Sequence, residues 1–62
     1  MPFVQIDLLE GRTHEQKKQM VEKVTQAIVE TTGAKPESVS IIIRDMAKES
    51  FASGGILASD KQ

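Results

Sequence analysis

"FVQIDLLEGRTHEQKKQMVEKVTQAI", residues 3–28, changes its hydrophobic period once, and that change decides the fold. At its start Phe3, Val4, Ile6, Leu8 and Leu9 are apolar, with Gln5 and Asp7 alternating between them. This near-alternation predicts a strand over residues 3–9. "EGR", residues 10–12, is a turn. Thr13 then stands ahead of Gln16 at capping-box spacing, where a side-chain oxygen and a side-chain amide satisfy each other's free backbone N–H groups at a helix start. Beyond it Met20, Val21, Val24, Ala27 and Ile28 form one apolar stripe, while Lys17, Lys18, Glu22, Lys23, Gln26 and Glu30 occupy the other face. Gly33 supplies a C-terminal stop, and Pro36 follows it.

Working outward, "SVSIIIRDM", residues 38–46, is a second strand, and its three consecutive isoleucines suggest burial on both faces. "ASGGIL", residues 52–57, is a turn that can close a small hairpin. Strand, helix, strand in that order predicts a parallel pair with a right-handed crossover. The fold class is therefore α/β: a single β-α-β unit with a small C-terminal hairpin, one domain over residues 1–62. Two strands and one helix leave a sheet face, two edges and an Ile-rich surface unsatisfied. The unit reads as a fraction of a larger assembly whose sheet is completed across subunits.

Size leads to the same expectation. A chain of 62 residues removes only about 60% of its unfolded surface from water and needs a disulfide, a metal or association to be secure. It has no Cys and one His, so disulfides and Cys-ligated zinc are excluded and a His-rich metal site has little to work with. Association remains, and the composition suits it: 39% hydrophobic with only Phe3 and Phe51 aromatic. A formal charge of −1 argues against nucleic acid as a partner. No apolar run approaches the roughly 18 residues of a membrane span, and the N-terminus lacks the charged and apolar regions of a signal peptide. A cytoplasmic location is the default expectation.

"MPFV", residues 1–4, is an unusual way to enter a strand, because an internal proline has no N–H for the sheet. If Met1 is trimmed, Pro2 becomes a free secondary amine. The ordinary reading of such a proline is a strand-edge residue or a processing determinant.

Pro2, "LLEGRTHEQKKQMVEKVTQAI" (residues 8–28) and "IIIRDMAKESFASGGILAS" (residues 41–59) together resemble the 4-oxalocrotonate tautomerase family over nearly the whole chain. The resemblance implies a β-α-β fold in which two subunits combine their sheets and three such pairs form a homohexamer. It implies enol–keto tautomerisation of a small enol or keto acid without cofactor or metal, and with the N-terminal proline as base. Carried onto this chain, Pro2 and Arg12 are the catalytic residues. Arg12, in "LEGR", also binds the substrate carboxylate; Phe51 is an aromatic wall of the site, and Leu9 and Ser40 are substrate-binding positions.

The chemistry has its own logic. Moving a proton between oxygen and carbon needs one group that takes and returns it, with a pKa near the working pH. A prolyl amine has its lone pair free only when neutral, and an apolar pocket and a nearby cation both lower its pKa. Phe51 and Arg12 offer these, and a planar, always-charged guanidinium suits a carboxylate. A solvated turn arginine and a packing phenylalanine are the plainer readings.

Two positions depart from the family. Its best-known members have a second arginine, from a neighbouring subunit, where this chain has Ser40, and an isoleucine where it has Ser53. Arg44 shares a strand face with Ser40 but lies about 13 Å further along. The resemblance thus implies the Pro2 chemistry without implying selectivity for dicarboxylates such as 2-hydroxymuconate. His14 is expected to be solvated, Asp7 and Asp45 are strand-edge polar residues that form no acid/base pair, and "SGG", residues 53–55, is too short for a phosphate loop. Two alternatives stay open: a non-catalytic oligomeric module of the same fold, and another reaction of the same amine, namely decarboxylation, dehalogenation or hydration of an unsaturated acid.

Overall fold

A computed structural model describes residues 2–61. Strand β1 covers Phe3–Leu9, helix α1 His14–Thr32 and strand β2 Ser40–Met46; short strands β3 (Ala52–Ser53) and β4 (Ile56–Leu57) follow. Single 3₁₀ turns occupy Pro36–Ser38, Lys48–Ser50 and Ala58–Asp60. The expected β-α-β unit with parallel strands and a small hairpin is thus present, with β1 at the residues read from the alternation.

β1 and β2 pair in parallel with Val4 beside Ile41, Ile6 beside Ile43 and Leu8 beside Asp45. These positions share one sheet face, and α1 lies on it: Lys17 from the first turns of the helix reaches Asp45 in a salt bridge. The other face carries Phe3, Gln5, Asp7 and Leu9 from β1 and their register partners Ser40, Ile42, Arg44 and Met46 from β2. Phe3, Gln5, Asp7, Ile42 and Arg44 of this face are exposed, while Leu9, Ser40 and Met46 are half-buried. Ile42 is 41% exposed while Ile41 and Ile43 are half-buried, so the isoleucine run divides between the helix-covered side and the open side.

The helix ends obey their local chemistry. The Thr13 hydroxyl accepts from the Gln16 N–H (3.1 Å), and the Gln16 side chain accepts from the Thr13 N–H (2.9 Å), closing the capping box. Gly33 ends the helix at φ 77°, a left-handed conformation that glycine adopts without a Cβ clash, and its N–H donates to the Val29 carbonyl. The half-buried stripe of α1 includes Met20, Val21, Val24 and Ile28, joined by Lys17, Thr25 and Val29, while Ala27 is exposed. Lys17 thus leaves the solvated face assigned to it, because its long stem can lie along the apolar stripe while its ammonium reaches Asp45. β2 begins at Ser40 rather than Ser38, because Pro36 nucleates a 3₁₀ turn whose last N–H bonds are Ser38 to Lys35 and Val39 to Pro36.

The two-residue turn of the β3–β4 hairpin is Gly54–Gly55, at φ 62° and 80°. Positive φ at both central residues matches the right-handed twist of the flanking strands. Among the described residues no hydrophobic side chain is buried, and no helix is long and apolar enough to cross a membrane.

Candidate functional site

Parallel strands joined by a helix give the sheet two chemically different ends. Pro2 stands half-buried at the start of β1, and its carbonyl accepts from the Ser40 N–H at 3.0 Å. Pro2 and Ser40 therefore share one end. Met1 lies outside the described residues, and so does the question of its removal.

The opposite end carries Leu9 and Arg12, and the segment leaving β2 at that end runs on to Phe51. The Glu10 N–H donates to the Met46 carbonyl at 2.8 Å, and the Glu10 carboxylate accepts from the Lys48 N–H at 3.5 Å. These bonds tie the turn after β1 to the segment leaving β2. Gly11 makes the turn at φ 119°, a conformation open to glycine, and so sets the direction in which Arg12 leaves β1. One Arg12 guanidinium N–H makes a long bond of 3.5 Å to the Leu9 carbonyl. Among the described residues Arg12 has no carboxylate partner, so its fork is available to an anion. Phe51 is 42% exposed and is fixed at the base of the hairpin, where its carbonyl accepts from the Ala58 N–H at 2.8 Å.

The strand between these ends has seven residues. At about 3.3 Å per residue it holds the Pro2 end and the Leu9 end roughly 23 Å apart. No side chain spans that gap, and among the described residues one chain encloses no pocket. Pro2 and Ser40 stand at one end of the sheet and Leu9 and Arg12 at the other, and one chain does not bring the two ends together. Arg44 is on the open face in line with Ser40, as its spacing requires, and is exposed. His14 is exposed at the first position of α1, and Ser53 is exposed in the hairpin. Among the described residues no cluster of His, Asp and Glu is arranged to hold a metal ion. Sequence reasoning missed one contact, the Lys17–Asp45 salt bridge; its partners are far apart in the chain and only the packing of α1 on β2 unites them.

Comparison with known proteins agrees with this architecture. The model of the tautomerase enzyme family matches residues 2–61. A 2-hydroxymuconate tautomerase of Bacillus subtilis is 48% identical over 62 residues, 100% of each chain. The crystal structure of YwhB, a homologue of 4-oxalocrotonate tautomerase, superposes with a TM-score of 0.93 at 48% identity, covering 98% of this chain and 100% of that one. A heterohexameric 4-oxalocrotonate tautomerase from Chloroflexus aurantiacus superposes with a TM-score of 0.93 at 26% identity over 100% of both chains.

Proposed function

This chain belongs to the tautomerase family, and on that premise we propose that it interconverts the enol and keto forms of a small carboxylic acid at sites shared between subunits. The observation that carries this reading is the separation of Pro2 from Arg12 by the length of β1. The edge of β1 away from β2 offers unpaired N–H and C=O groups. Two copies joined at that edge by a two-fold axis perpendicular to the sheet run antiparallel. The Pro2 end of one β1 then meets the Leu9–Arg12 end of the other, and a pair of chains holds two complete sites. Further pairing into a hexamer covers the open sheet faces.

In such a site the neutral prolyl amine accepts the hydroxyl proton of the enol. The oxygen's electrons form the C=O bond, the carbon–carbon π electrons take up the proton the amine returns, and the enzyme is unchanged at the end. Arg12 from the second chain holds the carboxylate and offsets the negative charge that develops as the proton leaves. Phe51 keeps water away. Its apolar ring and the Arg12 charge both favour the neutral amine, which is the form that can act as base.

The test is tautomerase activity on 2-hydroxymuconate and on the enol of phenylpyruvate, with the intact mass measured on the same sample. Activity from protein lacking Met1, reduced at least about a hundredfold by Pro2→Ala, is the expected result. Full activity in the Pro2→Ala variant, or in protein that retains Met1, would show that the amine is not the base.

A further inference from the structure

Arg12 sits in a short stretch of chain that is tied at both ends to neighbouring residues of β2. On one side of it the Glu10 N–H donates to the Met46 carbonyl at 2.8 Å. On the other side Thr13 caps α1, and its carbonyl accepts from the Lys17 N–H at 3.1 Å. The Lys17 ammonium then bonds the Asp45 carboxylate. Asp45 and Met46 are consecutive, so the path from Glu10 through Arg12 to Lys17 begins and ends on the same piece of strand. Between the two ties Gly11 has no side chain to pack, and a Cβ there would meet nothing within 4 Å. The Arg12 guanidinium itself is restrained among the described residues by one long bond of 3.5 Å to the Leu9 carbonyl. Asp45 is the register partner of Leu8, the residue before Leu9. The Lys17 bridge therefore lands at the end of the sheet that carries Arg12. Lys17 also differs from its neighbours on α1: it is half-buried, while Lys18 and Lys23 are exposed.

We propose that Lys17 and Asp45 are positioning residues: their salt bridge fixes the start of α1 on β2 and so holds Arg12 where it meets the substrate carboxylate. The proposal rests on the reading of Arg12 as the carboxylate-binding residue. A solvent-accessible ion pair adds little to global stability, because water screens it and two long side chains must be held still. Its effect is local and geometric. With the bridge intact, both ends of the Arg12 stretch are fixed and the planar fork is presented in one place. Without it, the helix start is free to shift on β2, and a small misplacement of a carboxylate clamp is costly in rate.

The experiment uses Lys17→Met, which keeps the apolar stem, and Asp45→Asn, which keeps the shape. Each should lower kcat/KM on a carboxylate enol about tenfold, a part of what the whole Arg12 bond contributes, and lower it far less on the corresponding ester. Both variants should lose alike, although one leaves a carboxylate without its counter-charge and the other removes that carboxylate. A rise in activity in Asp45→Asn would overturn the proposal, since charge rather than position would then govern the site. In an Arg12→Ala background neither change should cost anything further; additive losses overturn it. NMR relaxation of the backbone amides supplies a readout without catalysis: the order parameters of Gly11 and Arg12 should fall from about 0.85 toward 0.6 in both variants. Unchanged order there, or equal losses on acid and ester, also overturns it. Loss of helix by circular dichroism in either variant would mean that the bridge holds the fold rather than the turn, and counts against it equally. Wild-type protein inactive on acid and ester alike refutes the tautomerase reading instead, and the amide measurement still decides whether the bridge holds Arg12.

Discussion

If Pro2 and Arg12 meet only between chains, two inactive variants should repair each other. Pro2→Ala lacks the base and Arg12→Ala lacks the anion anchor. The two positions lie at opposite ends of a seven-residue strand that is roughly 23 Å long, so neither variant can complete a site from its own chain. When the two are unfolded together and refolded one to one, about half of the two-fold pairs are mixed. In a mixed pair one site receives intact Pro2 from the Arg12→Ala chain and intact Arg12 from the Pro2→Ala chain; the other site has neither. About a quarter of all sites are then wild type, and the mixture should show about a quarter of the wild-type rate. The parents should lie near a hundredth for the base and a tenth to a hundredth for the anchor. The assay is initial-rate tautomerisation of 2-hydroxymuconate, with wild-type protein carried through the same refolding cycle as the reference. A mixture whose rate is only the mean of its parents would refute the shared site, because a site built within one chain gains nothing from its neighbour.

Arg12→Ala should lower kcat/KM about ten- to a hundredfold on a carboxylate enol, the loss of one charge-assisted bond, and far less on the corresponding ester; equal losses on both would return Arg12 to a structural role. Ser40→Arg should raise kcat/KM for 2-hydroxymuconate more than for a monoacid enol, since only the diacid has a second carboxylate to bind, and an unchanged ratio would place the second anchor elsewhere. At Gly33 an added Cβ meets nothing within 4 Å, so only the left-handed φ of 77° resists substitution. Gly33→Ala should therefore destabilise by about 1–2 kcal/mol in a denaturant titration, and Gly33→Asn by less; an alanine variant as stable as wild type would contradict the strain argument.

The β-α-β order was legible because each element announces itself locally. The alternation of Phe3 to Leu9, the Thr13–Gln16 capping box, the Gly33 stop and the Gly54–Gly55 turn involve residues close in the chain, whose spacing reflects backbone geometry directly. What was not legible depends on tertiary placement. Lys17 reads as a solvated helix residue until α1 is laid on β2, where Asp45 lies within its reach. The start of β2 shifted from Ser38 to Ser40 because a 3₁₀ turn competed with the strand for the residues after Pro36. For the candidate site, Pro2, Leu9, Arg12, Ser40 and Phe51 are proposed on the resemblance alone. Their division between two ends of one sheet emerged only when the strands were paired.

The absence of any buried hydrophobic side chain among the described residues has a thermodynamic consequence. A chain that gains its interior only from neighbours has no separate folding step to complete before it associates. Unfolding and dissociation then become one transition, and its midpoint is not a property of the chain alone. For a two-chain unit each tenfold dilution removes about 1.4 kcal/mol from the apparent stability, and a six-chain unit loses more per pair of chains. Melting temperature should climb with protein concentration throughout. On the shared-site proposal, dilution alone should extinguish catalysis and unwind α1 in the same concentration range.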